Sequence, residues 1–184
     1  RVAPIQVIVV PVAQQKEGVV EKATELTNNL NKEFRTEVDA RDNYTPGYKF
    51  NYWEMKGVPV RLEIGPRDIE NNQCVLVRRD TLEKETVSLE NINKRIAELL
   101  EEIQTNMFKM AEENTKRKTT VAKTLEEFEK NINENQGYVK TMWCGSSECE
   151  DKIHELTGAK SRCMPFNQEH ISDTCVCCGK PANK

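Results

Sequence analysis

The cysteines constrain the fold of this chain more than any other feature of its sequence. Six of the seven lie between Cys144 and Cys178. The chain does not open with the basic and apolar regions of a secretory signal, and we therefore expect no secretion. In such a chain, clustered cysteines indicate metal binding before they indicate disulfide bonds. The C-terminal third is therefore predicted to be a small unit that a metal ion holds together.

The spacing of the cysteines selects four candidate ligands. Cys144 and Cys149 form a C-x4-C pair, and Cys175 and Cys178 form a C-x2-C pair. Two such pairs can place four thiolates around one tetrahedral zinc, and a glycine after two of them lets the backbone turn toward the sulfurs. Four protein ligands leave no open position, so the predicted site is structural.

Other interpretations of these residues stay open at this point. Cys177 could replace Cys178, although C-x2-C followed by glycine is the better turn, in which Cys177 points away. Cys74 and Cys163 are expected to be small core residues. A redox pair is less favoured, because Gly-Lys-Pro follows where a thioredoxin-like pair opens a helix. The remaining alternatives are unligated buried cysteines, and ligation by His154 or His170.

The first half of the chain has an α/β pattern. A buried strand over residues 5–10 precedes a helix over 18–34, a short strand at 36–39 and an aromatic helix that begins at Thr45. Alternating residues over 58–64 predict a half-exposed strand, residues 65–68 a turn, and 74–79 and 84–89 two further strands. Apolar spacing from Leu89 to about Thr115 predicts a helix roughly 40 Å long, which we expect to bridge two units.

The second unit is predicted to contain two helices and a strand. Thr124 and Glu127 form a capping-box pattern at the start of a helix over residues 125–135, which Gly137 ends. A strand over 138–143 then leads to the first cysteine pair, and a short helix over 148–156 closes at Gly158. We expect three stretches: residues 1–92, a connecting helix over 93–118, and the cysteine-rich unit over 119–184.

Composition excludes some classes of function. The longest apolar run is far shorter than the roughly 20 residues that cross a bilayer, so we expect no membrane association. With 27 Lys and Arg against 30 Asp and Glu, the formal net charge is −3. Any contact with nucleic acid must therefore come from a local group of side chains.

One such group lies between residues 53 and 84. Its members are charged residues around a strand, with Tyr52 and Trp53 beside them: Glu54, Arg61, Arg67 and Lys84. The donors of a guanine edge pair with a carboxylate, and its O6 and N7 accept from Arg or Lys. Composition alone favours the alternative, which is a solvated strand face with ordinary ion pairs and with both aromatic residues in the core.

Three motifs give the chain a resemblance that covers essentially its whole length. Residues 53–68 read WE-x-KGVP-x-R-x-E-x-GPRD, residues 3–7 read APIQV, and the tail contains WCG (143–145), GAKSRCMPF (158–166) and CVCCGKP (175–181). In this order they closely resemble the anticodon-binding and zinc-binding C-terminal domains of prolyl-tRNA synthetases of the eukaryote- and archaeon-like type.

The resemblance implies an α/β fold: a five-stranded mixed sheet with flanking helices, followed by a small α/β zinc domain. It also implies that Glu54, Arg61, Arg67 and, less directly, Lys84 contact the two guanines of the proline anticodon. The implied zinc ligands are the four cysteines that the spacing selects: Cys144, Cys149, Cys175 and Cys178.

The same resemblance implies the whole enzyme's activity, which is the joining of proline to its tRNA with ATP and magnesium. Nothing in this chain resembles the class II catalytic motifs, and the chain opens on Arg1. We therefore expect a C-terminal portion that is inactive without its catalytic domain, from a cytoplasmic, homodimeric enzyme. The alternative is a free-standing RNA-binding or scaffolding module with the same fold.

Overall fold

The computed structural model describes residues 3–184, which form two units, the first ending at Phe108 and the second beginning at Lys109. The first unit contains these elements: β1 (Val7–Pro11), α1 (Val19–Leu30), β2 (Thr36–Val38), α2 (Pro46–Lys56), β3 (Val60–Ile64), α3 (Pro66–Glu70), β4 (Gln73–Arg78), β5 (Lys84–Ser88), a 3-10 turn (Leu89–Asn91) and α4 (Ile92–Arg117). The division between the units falls within α4. The expected three stretches of the chain stay a prediction.

The first unit is built on a five-stranded mixed sheet with the strand order β2-β1-β3-β4-β5. β2, β1 and β3 run parallel, whereas β4 and β5 continue the sheet antiparallel. Every residue of β1 is buried, which is typical of a central parallel strand covered on both faces. The predicted mixed sheet is confirmed.

Helices cover both faces of this sheet. α1 and the first half of α4 pack on one face, where the largest apolar cluster lies, and α2 packs on the other. The α2 face carries Ile8 and Val10, against which Phe50 and Trp53 pack. Burying each large apolar side chain contributes roughly 1.5–3 kcal/mol to stability. The packing of α2 against the sheet therefore fixes the positions of the residues on the α2 face.

Two local expectations for the first unit are wrong. The strand at 58–64 is not half-exposed, because Arg61 and Glu63 on its α2 face are covered by their ion pairs and by α2. Residues 65–68 do not form a simple turn but begin α3. Pro66 occupies the first helical turn, and the Gly65 N–H donates to Asp68 Oδ2 at 2.8 Å, so GPRD is a helix start.

The second unit contains these elements: β6 (Thr119–Val121), α5 (Leu125–Asn135), β7 (Tyr138–Lys140) and α6 (Ser147–Thr157). β6 and β7 pair in parallel, and β6 is an element that the sequence did not predict. The helix at 125–135 is confirmed, with Glu127 N–H donating to Thr124 Oγ1 at 3.2 Å. It ends at Gln136, in the left-handed conformation, rather than at Gly137. The predicted strand at 138–143 has only three residues.

None of the helices within residues 3–184 combines the length and the apolar character that crossing a membrane requires.

Candidate functional site

Strand register places two of the predicted site residues on one face of the sheet. Arg61 lies beside Ile8 of β1 and beside Val77 of β4, and Val77 in turn lies beside Lys84 of β5. Aligned residues on neighbouring strands share a face. Arg61 and Lys84 therefore belong to the α2 face of the sheet.

A chain of ion pairs joins these residues, and we call it the charged network. Arg61 Nη1 donates to Glu54 on α2, and Arg61 Nε donates to Glu63 Oε1 at 3.0 Å. Lys84 Nζ lies 3.3 Å and 3.4 Å from the two carboxylate oxygens of Glu63. The Arg61 guanidinium also lies over the ring of Phe50, 4.1 Å from its centroid. Glu54, Arg61, Glu63 and Lys84 thus form one continuous network.

The members of the charged network differ in how much of each faces solvent. The Arg61 side chain is 9% exposed, whereas the Glu54 and Lys84 side chains are 32% and 55% exposed. Glu54 and Lys84 can therefore meet a ligand directly. Arg61 is placed to hold the Glu54 carboxylate in position.

Arg67, the fourth predicted contact, is not part of the charged network. It lies on α3, beyond the end of β3, and α3 packs its Ile69 against the core on the α1 and α4 side. Arg67 is exposed, and within residues 3–184 its side chain forms no ion pair. Its contact with RNA stays a prediction.

Glu63 is a member that sequence reasoning missed. It holds both Arg61 and Lys84, yet it was not singled out within the motif. The available signal was its spacing, since a residue two positions after Arg61 on a strand shares its face.

The two aromatic residues beside the network have different surroundings. Trp53 packs in the cluster on the α2 face, and its Nε1 donates to Asp39 Oδ2 at 2.7 Å, so the core interpretation holds for it. Tyr52 is half-buried, with the Arg41 guanidinium 4.7 Å from its ring centroid. Burial alone would raise the pKa of Asp39, but hydrogen bonds from Arg41 and Trp53 hold it below its usual value.

The second unit brings together the four cysteines that the spacing selected. The Sγ atoms of Cys144, Cys149, Cys175 and Cys178 all lie within 4.8 Å of one another. The Cys144–Cys149 and Cys144–Cys178 Sγ distances are 3.7 Å and 3.8 Å. Sulfurs at the corners of a tetrahedron with Zn–S bonds of 2.3 Å would be about 3.8 Å apart. This donor set therefore fits a closed four-thiolate zinc site, and that it binds zinc stays a prediction.

The backbone around the second cysteine pair folds toward the sulfurs. Gly179 N–H donates to Cys175 O at 3.0 Å, and Gly179 has a φ of 70°, which lies in the left-handed region. Burial would raise the pKa of Cys175, but hydrogen bonds from the backbone of Cys178, Cys177 and Cys144 outweigh it and lower the pKa to about 6. These contacts favour the thiolate of Cys175, whereas burial raises the pKa of Cys149.

The remaining cysteines lie outside this group. Cys74 is fully buried in the sheet core, as expected, and burial raises the pKa of its thiol to about 12. Cys177 is half-buried and packs against the apolar cluster of the second unit. Cys163 is exposed, so its prediction as a core residue is wrong. It lies in a stretch after α6 that has no regular secondary structure to cover it.

The two histidines also lie outside the group of four cysteines. His154 Nδ1 contacts Ala159 O at 3.2 Å, and His170 Nε2 contacts Asp173 Oδ1 at 2.9 Å. Neither belongs to the metal-binding group found within residues 3–184.

Comparison with known families assigns both units. Residues 6–99 match the family described as the anticodon binding domain, and these residues span the whole sheet with the charged network. The chain belongs to this anticodon-binding family. Residues 125–184, which contain the four cysteines, match the family described as the C-terminal domain of prolyl-tRNA synthetase. The predicted resemblance is confirmed.

Curated relatives of this anticodon-binding chain are named as ligases. It is 53% identical over 184 residues to proline–tRNA ligase 2 of Bacillus thuringiensis (strain Al Hakam). It is 54% identical over 182 residues to the proline–tRNA ligase of Clostridium novyi (strain NT) and 55% identical over 182 residues to that of Clostridium botulinum (strain Loch Maree / Type A3). These matches cover all or 99% of this chain but only 38% of each relative.

Proposed function

We propose that this chain is the anticodon-reading portion of a proline–tRNA ligase. The observation that carries the proposal is the order of the two family matches: an anticodon-binding domain followed by the C-terminal domain of prolyl-tRNA synthetase. The names of the relatives, at 53% identity over the full chain, support it. The whole enzyme would join proline to its tRNA with ATP and magnesium in the cytoplasm, as a homodimer, through a catalytic domain that this chain does not contain.

The charged network offers the chemistry to read guanine. Glu54 would accept from the N1–H and the exocyclic amine of the base, and Lys84 would donate to O6 or N7. Arg61, which is mostly covered, would fix the direction of the Glu54 carboxylate. Arg67, which is exposed on α3, would contact the second guanine or the neighbouring backbone.

The four cysteines would hold a structural zinc. Cys144, Cys149, Cys175 and Cys178 supply four thiolates, and the zinc would supply a fixed tetrahedral centre rather than an open catalytic position. Its role would be to hold the C-terminal unit in its fold.

A guanine-to-inosine exchange tests the anticodon proposal directly, because it deletes only the exocyclic amine. We expect inosine at the anticodon guanine that Glu54 reads to weaken binding of a proline anticodon stem-loop to this chain by about 1–3 kcal/mol, measured by fluorescence anisotropy. An Arg61→Ala variant should lose a similar amount of base discrimination, because Glu54 is no longer positioned.

The control is a stem-loop with an unrelated anticodon and the same stem. Equal affinity for the proline and unrelated anticodons would overturn the proposal and leave a general RNA-binding module. The loss caused by inosine should shrink in a Glu54→Gln variant if Glu54 accepts from that amine.

A further inference from the structure

A cleft lies on the first unit, and no member of the charged network lines it. It has a volume of about 500 Å³ and opens at the carboxyl ends of the parallel strands β1 and β2. The chain leaves β1 toward α1 on one face of the sheet and leaves β2 toward α2 on the other. Open α/β sheets bind ligands outside the carboxyl ends of their strands, and in this strand order the switch point itself lies next to the cleft, between β1 and β3.

A buried lysine lies at this cleft. Lys49 is 1% exposed and lines the cleft, and its Nζ donates to Gln14 Oε1 at 2.8 Å and to Asp39 O at 3.0 Å. Both partners are neutral, and no carboxylate within residues 3–184 forms an ion pair with Lys49. An ammonium group has three donors, and these contacts use two of them.

The nearest carboxylate is already saturated. The oxygens of Asp39 accept from Arg41 Nε at 2.9 Å, from Arg41 Nη2 at 2.7 Å and from Trp53 Nε1 at 2.7 Å. Asp39 is therefore not available to neutralise Lys49 by direct contact. A buried cation without an ionic partner favours a ligand that brings an acceptor atom to it.

The rest of the cleft limits which acceptor can enter. Asp42, which is exposed, lines the cleft and offers a carboxylate acceptor, and Pro11, Pro46 and Tyr44 supply flat apolar walls. The carboxylate of Asp42 repels a phosphate but accepts from an N–H. A matching ligand carries an acceptor for Lys49 and an N–H donor for Asp42, and a planar ring suits the apolar walls.

We propose that this cleft binds a single nucleobase, with Lys49 donating to its acceptor and Asp42 accepting from its N–H. The base comes either from RNA bound at the charged network, in which case the proposal rests on the proposed function, or from a free nucleotide. The two sources share the same chemistry, and separate arms of the experiment distinguish them.

The first arm is an NMR titration of the isotopically labelled 184-residue chain with the four ribonucleoside monophosphates and with ribose 5-phosphate. We expect at least one nucleotide to shift the amide signals of Ala13 and Ala40, which line the cleft, and ribose 5-phosphate to leave them unchanged. Asp42→Asn and Lys49→Met should each weaken this binding about tenfold or more. Asp42 is exposed, so its variant keeps the fold even where Lys49→Met does not.

The second arm replaces each loop nucleotide of the proline anticodon stem-loop, one at a time, with an abasic residue. We expect one replacement, at a nucleotide other than the guanine that Glu54 reads, to weaken binding to the unmodified chain about tenfold and to have little further effect on the Asp42→Asn variant. Lys32→Met, which removes an exposed lysine outside the cleft, should behave as the unmodified chain in both arms.

The outcomes separate this proposal from the proposed function. If neither arm shows a base in the cleft while the stem-loop still discriminates guanine, the cleft proposal fails and the anticodon proposal stands. If mononucleotides bind but the stem-loop does not, the anticodon proposal fails and the cleft is a nucleotide site. Equal binding of ribose 5-phosphate would overturn base recognition.

Discussion

At the scale of single residues, Arg61 shows how a charge is kept inside this fold. Its side chain is 9% exposed, and two carboxylates, from Glu54 and Glu63, accept from separate nitrogens of its guanidinium. A buried charge is tolerated only when it is paired and hydrogen-bonded. The arginine is thus oriented before any ligand arrives.

Replacing Glu63 by glutamine tests this arrangement. Because Arg61 and Lys84 both lose a charged partner, we expect Glu63→Gln to lower the free energy of unfolding by about 1–3 kcal/mol. We also expect a smaller difference in affinity between the guanine and inosine stem-loops. Urea unfolding and fluorescence anisotropy measure the two effects.

The matched control is Glu70→Gln, which removes an exposed carboxylate at the end of α3. If Glu63→Gln leaves the difference in affinity between the guanine and inosine stem-loops unchanged, Glu63 contributes to stability but not to base discrimination.

A second prediction at this scale concerns acid stability. Asp80 accepts from Arg78 and from Asn106, and these contacts lower its pKa to about 2. An unfolded aspartate has a pKa of about 3.9. The resulting stabilisation, about 2 kcal/mol, is present above pH 4 and is lost as the pH falls toward 2. Urea unfolding between pH 5 and 2 should show this loss.

The free energy of unfolding should change less with pH in Asp80→Asn, because asparagine has no proton to gain. It should also change less in Arg78→Met, because this variant removes the partner that lowers the pKa of Asp80. If the Asp80→Asn variant keeps the full change with pH, other carboxylates account for it.

At the scale of elements, the loop after α5 depends on a close approach of two backbones. An added Cβ at Gly137 would lie 1.9 Å from the carbonyl oxygen of Lys118, and the N–H of Tyr138 donates to that same oxygen at 2.9 Å. The approach aligns β7 beside β6. Only glycine, which has no Cβ, therefore fits at position 137.

We expect Gly137→Ala to destabilise the second unit by several kcal/mol, since the clash is with backbone that cannot move without breaking the β6–β7 pair. Thermal unfolding of the zinc-loaded chain measures it. Gly47→Ala is the control, because nothing lies within 4 Å of the added methyl group and alanine favours helices, so it should be neutral or stabilising by up to about 1 kcal/mol. Equal effects of the two substitutions would contradict the role of the close contact.

Elements with local signals could be predicted from the sequence. α5 has the expected bounds because Thr124 caps it through a contact three residues away, and β1 was evident from its mostly apolar, β-branched run. The burial of β3 could not be predicted, because it depends on Glu54 of α2 and on Phe50, which only the tertiary fold brings to Arg61. β6 was not predicted because it has only three residues, two threonines and a valine, and they form a strand only by pairing with β7.

At the scale of the whole molecule, the two units differ in how they are stabilised. Among residues 3–184, the sheet core of the first unit contains fourteen buried residues, whereas the cluster of the second contains three: Ala122, Phe128 and Val176. So small a cluster cannot offset the entropy of ordering the chain by itself. We therefore expect the second unit to depend on the proposed zinc at its four cysteines.

We expect a chelator to unfold the second unit and leave the first intact. Amide hydrogen exchange should show lost protection from β6 onward and retained protection in β1, β3 and β4. Metal analysis should find about one zinc per chain before treatment. Cys178→Ser should reduce the zinc content and Cys177→Ser should not. The opposite result for these two variants would overturn the choice of ligands, and unchanged protection after zinc removal would overturn its structural role.

Spacing was enough to predict the group of cysteines, because each short pair brings its own two sulfurs together and only the meeting of the two pairs depends on the fold. It was not enough for the charged network. Glu54, Arg61 and Lys84 come from α2, β3 and β5, and Glu63, which joins two of them, has no signal beyond its alternation. The cleft at the ends of β1 and β2 was not predicted either, since Lys49 reads as an ordinary lysine in the predicted aromatic helix.

The charged network has a consequence for how a base is chosen. The free protein already pairs Glu54 with Arg61 and Lys84 with Glu63. Under the proposed function, an incoming guanine would therefore compete with contacts that the protein makes with itself. A base with weaker donors would compete less well, so discrimination between bases would come together with modest affinity for the tRNA.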